Sequence, residues 1–592
     1  MQCLKKKDSK FKNGVRSSVY MLKNIGKISL ILLLTLPLLM FRACKKDDVT
    51  VRIAVTTDVH GMIFPYDLIS RSPSDHSLAH IFSYVTAQRD NEDTLFYLLD
   101  NGDFLQGQPT VYYHNFIDTL NEHLSARVMN FMGYDAGTVG NHDIEAGPLV
   151  YDRLLPAFRF PWLAANAIIS DTGEPYFKPY TILKAGRKKI AVLGLITPGI
   201  PNWLPKNLWP RMEFQDMVEA AREWVPRILE KEDPDLLVGL FHSGTDASYS
   251  GNPDDPMNEN AVMLVAEQVP GFHIIFAGHD HRVSVQRIAN TAGDSVLIID
   301  PGSHARYAGE ATIKFKTRQI LTSGKNIPMQ DYEPSEDFMT RFASDYEQVA
   351  DYLDDTITWL AGDMTGLDAL FGPSSMISLI HQVQLDLSGA QISFAAPLSI
   401  SAVLQEGPLL VSDMFKLYRY ENLLYRMELS GDEIDGFLEH AAGSWFNTMS
   451  GPGDHLLQFD PDQPGRLTAP YYSFSSAAGI NYTVDVTRPP GDRVRIETLD
   501  NGLPFAESEI YTVAVNSYRG NGAGGHLTVG AGIPKEELIR RISWSTDRDL
   551  RYHLMEYLRQ QDTLLPRTVH NWSCVPSHLS GPASVFDRKV LD

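Results

Sequence analysis

Short apolar runs alternate with helix-length amphipathic stretches along residues 51–315, and this alternation constrains the fold more than any other feature. Runs of four to seven residues rich in Val, Ile and Phe are typical of buried strands. An amphipathic stretch such as 214–231 is typical of a helix. The alternation predicts an α/β layered domain whose functional residues lie on loops at the carboxyl ends of strands. The predicted strands are residues 51–55, 95–99, 189–195, 236–241, 272–277 and 296–299.

Five short polar clusters each follow a predicted strand. Taken singly, each cluster is more often a turn, a helix cap or a core histidine than a site. Five such clusters at strand ends are expected to converge on one edge of the sheet. Their two Asp, one Asn and four His suit two divalent ions of the Zn, Mn, Fe or Co type rather than Ca²⁺ or Mg²⁺. The donors are Asp58, His60, Asp103, Asn141, His242, His279 and His281.

The spacing within the clusters indicates how the donors could share metal ions. Alternate side chains of extended backbone point the same way, so Asp58 and His60 can bind one ion. His279 and His281 can do likewise or can divide between two ions. Asp103 has two carboxylate oxygens and can bridge. Two metals about 3.5–4 Å apart can clamp a phosphoryl group and lower the pKa of a water.

In this order, the clusters resemble the pattern of the calcineurin-like metallophosphoesterase family: Asp-x-His, Gly-Asp, Gly-Asn-His-Asp/Glu, His and Gly-His-x-His. The resemblance implies a layered αββα domain over residues 51–320. It also implies that His142 contacts the phosphoryl or leaving-group oxygen, and that Glu145 pairs with His142 where the nucleotidase branch has Asp. The implied ligands are Asp58, His60, Asp103 and His281 for one ion, and Asp103, Asn141, His242 and His279 for the other.

Beyond a predicted connecting helix at 331–355, a second α+β domain is expected over residues 365–564. Predicted helices span 376–387, 432–442 and 536–541, and predicted strands span 482–486 and 510–515. The polar tail, residues 565–592, is expected to pack loosely. Residues 386–525 resemble the C-terminal domain of bacterial 5′-nucleotidases and, more closely, that of 2′,3′-cyclic-nucleotide 2′-phosphodiesterase/3′-nucleotidases. The matching stretches include Ala395-Ala396-Pro397-Leu398, where 5′-nucleotidases have a Gly-Gly-Ile-Arg type segment.

The same resemblance implies that two aromatic rings of the second domain hold a nucleobase. The expected rings are Phe474, five residues before Gly479, and Tyr518, the tyrosine nearest the Gly-Gly turn. The alternative for Phe474 is a place in the hydrophobic core.

Residues 1–43 are expected to be a signal peptide rather than part of the fold. A basic stretch precedes the apolar run 28–41, which is shorter than the roughly 20 residues of a membrane span. Cys44 follows Ala43, which resembles a bacterial lipoprotein cleavage site, so we expect lipidation at Cys44. The alternative is an ordinary signal cut nearby, with Cys44 incidental.

The net charge of −21 argues against a protein that coats nucleic acid, and three cysteines exclude a disulfide-built scaffold. The residues and the resemblance together predict dinuclear-metal hydrolysis of nucleotide phosphoesters, with 2′,3′-cyclic-nucleotide 2′-phosphodiesterase/3′-nucleotidase activity preferred. The alternatives are a 5′-nucleotidase or UDP-sugar hydrolase on the same scaffold, and a non-catalytic surface nucleotide-binding lipoprotein. We expect an exported monomer in the periplasm or on the outer membrane, with a small nucleotide substrate and no nucleic-acid polymer as partner.

Overall fold

A computed structural model describes residues 49–249, 255–463 and 465–591, so the predicted signal peptide and Cys44 lie outside the described residues. The first domain is built around two six-stranded sheets. Strands 51–56 and 95–100 pair in parallel in the first sheet, as do the two that follow them. The order across the first sheet is Ile320–Pro328, Tyr307–Phe315, Val49–Thr56, Leu95–Asp100, Ala136–Thr138 and Trp162–Leu163.

The second sheet holds the other four predicted strands. Its parallel centre is flanked by an antiparallel strand on each side. The order across it is Val283–Ala289, Ser295–Pro301, Ile274–Phe276, Leu236–His242, Lys188–Ile196 and Tyr180–Ala185. The apolar runs identified these strands without identifying which of the two sheets each belongs to.

The two sheets pack face to face, and helices cover their outer surfaces. Thr138 Oγ1 donates a hydrogen bond to Leu240 O across the interface, at 3.0 Å. Helices Leu78–Arg89 and Leu124–Met132 bury their apolar side chains in the core of the first sheet. Helices Met217–Glu232 and Val262–Gln268 do so on the second sheet. This layering is the expected αββα domain.

Shorter elements complete the first domain. They are helices Pro109–Tyr112, Asn141–Glu145 and Pro148–Leu154 and the strand pairs Tyr66–Asp67 with Ser72–Pro73 and Ala167–Ile169 with Met212–Phe214. Among the described residues, 49–50 and 314–321 group as a small separate unit, in which Lys316 N donates to Gln319 O at 2.9 Å.

Two helices, not one, occupy the segment predicted as a connecting helix. Glu336–Arg341 ends at the buried Phe342, and Ala343–Asp354 begins directly after it. Ser335 caps the first helix by accepting a hydrogen bond from Phe338 N. Phe342 anchors the break because its side chain belongs to the core of the first domain.

A five-stranded mixed sheet forms the centre of the second domain, with helices Ser375–Ser388 and Gly431–Trp445 packed on it. Its strand order is Ser476–Ala478, Ile392–Ala395, Ile510–Asn516, Leu424–Ser430 and Ile542–Ser545. Other helices of this domain are Val411–Leu417, Ser517–Gly520, Lys535–Arg541 and Leu550–Arg559. Three small sheets surround this centre, formed by Gly407–Leu410, Thr356–Leu360 and Thr563–Leu564; by Met364–Thr365 and Val403–Leu404; and by Val494–Leu499, Ile480–Asp485 and Trp572–Val575.

The C-terminal tail is part of the second domain, which corrects the expectation of loose packing. Its strand Trp572–Val575 pairs in parallel with Ile480–Asp485, and helix Ser577–Leu591 follows. The buried carboxylate of Asp587 accepts hydrogen bonds from Leu456 N at 2.8 Å and Leu457 N at 2.9 Å. The mostly polar composition hid this role, because only a few apolar side chains of the tail, such as Trp572 and Leu579, join the hydrophobic core beside the buried Asp587.

None of the helices formed by the described residues is both long enough and apolar enough to cross a membrane.

Candidate metal centre

Five of the predicted donors lie just after strand ends and have a backbone conformation that residues other than glycine rarely adopt. Asp58, His60, Asp103, His279 and His281 have φ values of 49°, 50°, 57°, 76° and 58°. Left-handed backbone in residues other than glycine costs about 1–3 kcal/mol each and concentrates at functional sites. The surrounding fold therefore holds these five side chains in place at a cost to stability.

Three donors converge in a first group, with ligating atoms within 4.8 Å of one another. His60 Nε2 lies 3.0 Å from His281 Nε2, and His281 Nε2 lies 3.3 Å from Asp58 Oδ1. His60 Nδ1 donates to Gln106 O at 3.0 Å, which leaves Nε2 to face the other donors. The two facing imidazole nitrogens can share a proton or can both bind one metal ion.

A second group contains Asp103, His242 and His279, again within 4.8 Å. His242 Nε2 lies 3.0 Å from Asp103 Oδ2 and 3.1 Å from Asn141 Oδ1. His242 Nδ1 donates to Asn101 O at 2.7 Å, which fixes the ring orientation. The structure thus brings all seven predicted donors together, although they come from the strands of two sheets rather than one.

The electrostatics of the groups suit cation binding. Burial opposes ionisation of Asp58 and Asp103, but the neighbouring His242 holds both pKa values well below their usual range. Burial lowers the pKa of His60 to about 3 and that of His279 to about 4, so both rings are neutral. Burial opposes protonation of His242, but the carboxylates of Asp103 and Asp58 raise its pKa to about 10. A divalent cation can take the place of that proton between the carboxylates and the imidazole nitrogens.

His142 and Glu145 form a pair beside the first group. His142 Nδ1 lies 2.5 Å from Glu145 Oε2, because i and i+3 share one face of helix Asn141–Glu145. The His142 ring centroid lies 5.4 Å from that of His60. Burial opposes protonation of His142, but the carboxylates of Asp103 and Glu145 raise its pKa to about 10. The ring is positioned to donate a hydrogen bond toward the centre.

Asp143 has a positioning role that sequence analysis missed. Its buried carboxylate accepts hydrogen bonds from the backbone N–H of Gly140 at 2.8 Å and of Asp103 at 3.0 Å. It also accepts from Phe104 N and Leu105 N at 3.0 and 3.1 Å. These bonds tie the Asp103 loop to the Asn141 loop. The sequence feature that could have indicated this role is the acidic residue directly after His142.

A cavity of about 300 Å³ opens beside the centre, between the two domains. Asn141, His142 and His279 line it from the first domain. Aromatic rings line it from both domains, namely Trp203, Tyr420, Tyr472 and Tyr518. The predicted Tyr518 therefore lies in the cavity wall. Arg519 NH2 donates to Tyr472 O at 2.6 Å and its NH1 to Ala523 O at 2.9 Å, which joins the two segments that carry the tyrosines.

Phe474 does not line the cavity, which corrects the expectation from the resemblance. Its side chain is fully buried and its ring is stacked on Trp445, with centroids 5.2 Å apart and planes 5° apart. The short 3-10 turn Tyr471–Ser473 instead turns Tyr472 toward the cavity. Tyr472 was missed, because spacing from Gly479 selected an aromatic ring without showing which way it points.

Family models match both domains. Residues 51–283 match the model for "Calcineurin-like phosphoesterase", and residues 357–530 match the model for "5'-nucleotidase, C-terminal domain". Together the two models cover more than half of the chain.

Curated relatives match along most of the chain. A Haemophilus influenzae 2′,3′-cyclic-nucleotide 2′-phosphodiesterase/3′-nucleotidase is 25% identical, over 90% of this chain and 88% of that protein. The Bacillus subtilis trifunctional nucleotide phosphoesterase protein YfkN is 26% identical over 92% of this chain. The present chain spans only 40% of the length of the Bacillus protein.

A solved structure has the same overall fold. A Staphylococcus aureus protein assigned as a 5′-nucleotidase, in complex with alpha-ketoglutarate, superposes with a TM-score of 0.74. It is 23% identical and covers 89% of this chain and 99% of its own. With two matching family models and a shared fold, the chain belongs to the family of metal-dependent phosphoester hydrolases that join a calcineurin-like phosphoesterase domain to a 5′-nucleotidase C-terminal domain.

Proposed function

We propose that the protein is a 2′,3′-cyclic-nucleotide 2′-phosphodiesterase/3′-nucleotidase. The observation that carries the proposal is the cavity beside His142, which is lined by Tyr472 and Tyr518 and adjoins the donor groups. A nucleotide can place its base between aromatic rings there and its phosphate at the donors. Stacking of a base on an aromatic side chain contributes about 1–3 kcal/mol.

In this proposal the donors hold two divalent ions of the Zn, Mn, Fe or Co type. Asp58, His60, Asp103 and His281 form one ligand set, and Asp103, Asn141, His242 and His279 form the other. When bound, such ions clamp the phosphoryl oxygens and activate a water for attack. Within the chain, His142 donates a hydrogen bond to a phosphoryl or leaving-group oxygen, and Glu145 fixes its ring.

The residues that line the cavity support the choice of a 2′,3′-cyclic or 3′ phosphoester over a 5′ phosphoester. Ala395, Ala396 and Leu398 line it at the segment where 5′-nucleotidases have an arginine. Arg519 also lines the cavity, but its NH1 and NH2 groups donate to backbone carbonyls. Arg519 is therefore not free to bind a phosphate. The cavity wall then favours nucleotides whose reacting phosphate is held by the proposed metal ions alone. The name and coverage of the Haemophilus relative agree with this choice.

A substrate panel tests the proposal. Chelator-treated protein is reloaded with Mn²⁺, Zn²⁺ or Co²⁺ and assayed with AMP, 3′-AMP, 2′,3′-cyclic AMP and UDP-glucose. We expect metal-dependent turnover with the highest kcat/KM for 2′,3′-cyclic AMP and 3′-AMP. A preference for AMP or UDP-glucose would overturn the choice of ester.

Asp103→Asn is the most informative variant, because Asp103 belongs to both proposed ligand sets. We expect a loss of kcat/KM of at least about 100-fold, above the range seen when metal-supporting partners are removed. Metal content measured by mass spectrometry should fall with it. A purified Asp103→Asn protein with full activity would refute the assignment.

The proposal extends to cellular location: the chain is exported and lipid-anchored through Cys44, in the periplasm or at the outer membrane, as a monomer. The basic and apolar segments before Cys44 support this. Metabolic labelling with a fatty acid tests it, with Cys44→Ala as control. Label that persists in Cys44→Ala protein would contradict lipidation at this residue.

A further inference from the structure

A short segment of the second domain, residues 419–422, forms part of the wall of the cavity beside the centre. Tyr420 and Asn422 line the cavity. Glu421, between them in the chain, has only 9% of its side chain exposed and pairs with the fully buried Arg551. The segment therefore places a buried carboxyl group of the second domain directly behind this wall.

Only one of the two carboxyl oxygens of Glu421 has a hydrogen-bond partner. Arg551 donates a hydrogen bond to Glu421 Oε1 at 2.9 Å. It also donates to the carbonyl oxygens of Tyr418 and Arg419, at 2.8 and 2.6 Å, so the guanidinium group is fixed in place. Glu421 Oε2 is buried and has no hydrogen-bond partner among the residues that the structure describes. An ionised carboxylate with such an oxygen is costly to bury.

Glu421 belongs to a charged cluster that crosses from one domain to the other. Two of its members come from the first domain and three from the second, namely His142, Glu145, Glu421, Asp549 and Arg551. The phenol of Tyr112 also faces Glu421, but burial raises its pKa well above its usual range, so it stays neutral. Its hydroxyl donates to Asp549 Oδ2 at 3.1 Å. Three acids thus face two cations, which leaves one negative charge in excess when every acid is ionised.

A proton on Glu421 relieves this excess charge. Burial raises the pKa of Glu421 to about 7; Arg551 opposes the rise, and the carboxylates of Glu145 and Asp549 add to it. The unpartnered Oε2 is the oxygen that can carry the proton. Glu421 therefore gains or loses its proton near neutral pH, whereas an ordinary glutamate is fully ionised there.

We infer that Glu421 is a positioning residue whose proton keeps a second negative charge away from the His142–Glu145 pair. The inference rests on the proposed function, which assigns His142 a hydrogen bond to a phosphoryl or leaving-group oxygen. While Glu421 is neutral, the positive charge of His142 acts on Glu145 and on the substrate. Once ionised, Glu421 competes for that charge and repels an anionic substrate. Activity should therefore fall as the pH rises through about 7.

A pH profile tests the inference. Glu421→Gln has the shape of the protonated acid and no charge at any pH. We expect the ratio of kcat/KM for 2′,3′-cyclic AMP, wild type over Glu421→Gln, to fall about threefold or more from about pH 6 to about pH 8. Titrations that the two proteins share cancel in this ratio. Glu428→Gln, at an exposed position of strand Leu424–Ser430, is the matched control, and its ratio to wild type should not change with pH. A flat ratio of wild type to Glu421→Gln would overturn the inference.

Urea unfolding of the same proteins, at one fixed Mn²⁺ concentration, tests the proton without catalysis. A pKa raised in the folded state contributes stability below the ordinary value of 4.5, and this contribution is lost as the pH rises to about 7. The free energy of unfolding of wild type minus that of Glu421→Gln should therefore fall over this range and stay level above it. A difference that does not change with pH would contradict the inference. A wild-type protein that turns over no nucleotide would refute the proposed function, and the unfolding difference would still decide whether Glu421 holds the proton.

Discussion

Glu145 departs from the nucleotidase pattern by one methylene group, and the structure shows how the departure is accommodated. The longer side chain reaches His142 Nδ1 from the next turn of a short helix, at 2.5 Å. The pair therefore keeps the hydrogen bond that orients the imidazole. The bond occupies Nδ1 of His142 and leaves its other ring nitrogen to face the centre.

Glu145→Gln should lower kcat by about 10- to 100-fold with a smaller change in KM, because loss of an orienting partner affects the transition state more than ground-state binding. Steady-state kinetics with 2′,3′-cyclic AMP measures this. Glu145→Asp is the conservative control and should recover part of kcat. If Glu145→Gln and Glu145→Asp behave alike, the carboxylate has no orienting role.

Tyr472 and Phe474 are two residues apart and should respond to substitution in opposite ways. Tyr472→Ala removes a ring from the cavity and should weaken substrate binding by about 1–3 kcal/mol, seen as a higher KM. Phe474→Ala empties a core position and should cost about 3–5 kcal/mol of stability. Kinetics and urea unfolding of both proteins provide the test. A raised KM with unchanged stability in Phe474→Ala would restore the original expectation.

At the scale of elements, the tail helix Ser577–Leu591 acts through Asp587. Asp587→Ala leaves Leu456 N and Leu457 N without their acceptor in a buried site. An unsatisfied buried donor costs about 1–3 kcal/mol, and two of them put the expected loss at or above the upper end of this range. Urea unfolding should show the loss. Lys589→Ala, at the exposed neighbouring position, is the control and should keep the wild-type stability. Equal free energies of unfolding for wild type and Asp587→Ala would mean that the tail does not stabilise the domain through Asp587.

Sequence analysis recovered the elements better than their arrangement. Residues 236–241 and 274–276 could be predicted as strands because a buried strand leaves an uninterrupted apolar run. Which of the two sheets each strand joins could not be predicted, since each apolar run is compatible with many partners. The donors were found because the chemistry of metal binding restricts residue type and spacing. Tyr472 and Asp143 were not found, since a ring's direction and a carboxylate's backbone partners depend on tertiary packing.

The net charge of −21 acts on the whole molecule, and it opposes the approach of any nucleotide. The divalent ions proposed at the centre would offset it locally. We expect kcat/KM for anionic substrates to rise from low salt to physiological ionic strength, where the Debye length of about 8 Å screens distant acids. Initial rates at saturating metal and increasing NaCl measure this. A steep fall in kcat/KM with salt would show that long-range attraction guides the substrate instead.

The left-handed backbone at Asp58, His60, Asp103, His279 and His281 has an evolutionary consequence. Glycine at any of these positions would relieve the backbone strain, at the loss of one donor. In a related protein that no longer catalyses a reaction, glycine at these positions would therefore be favoured because it removes the strain. This chain instead has a donor at all five positions. The strained turns therefore indicate that selection maintains these donor side chains in spite of the backbone strain that they cost.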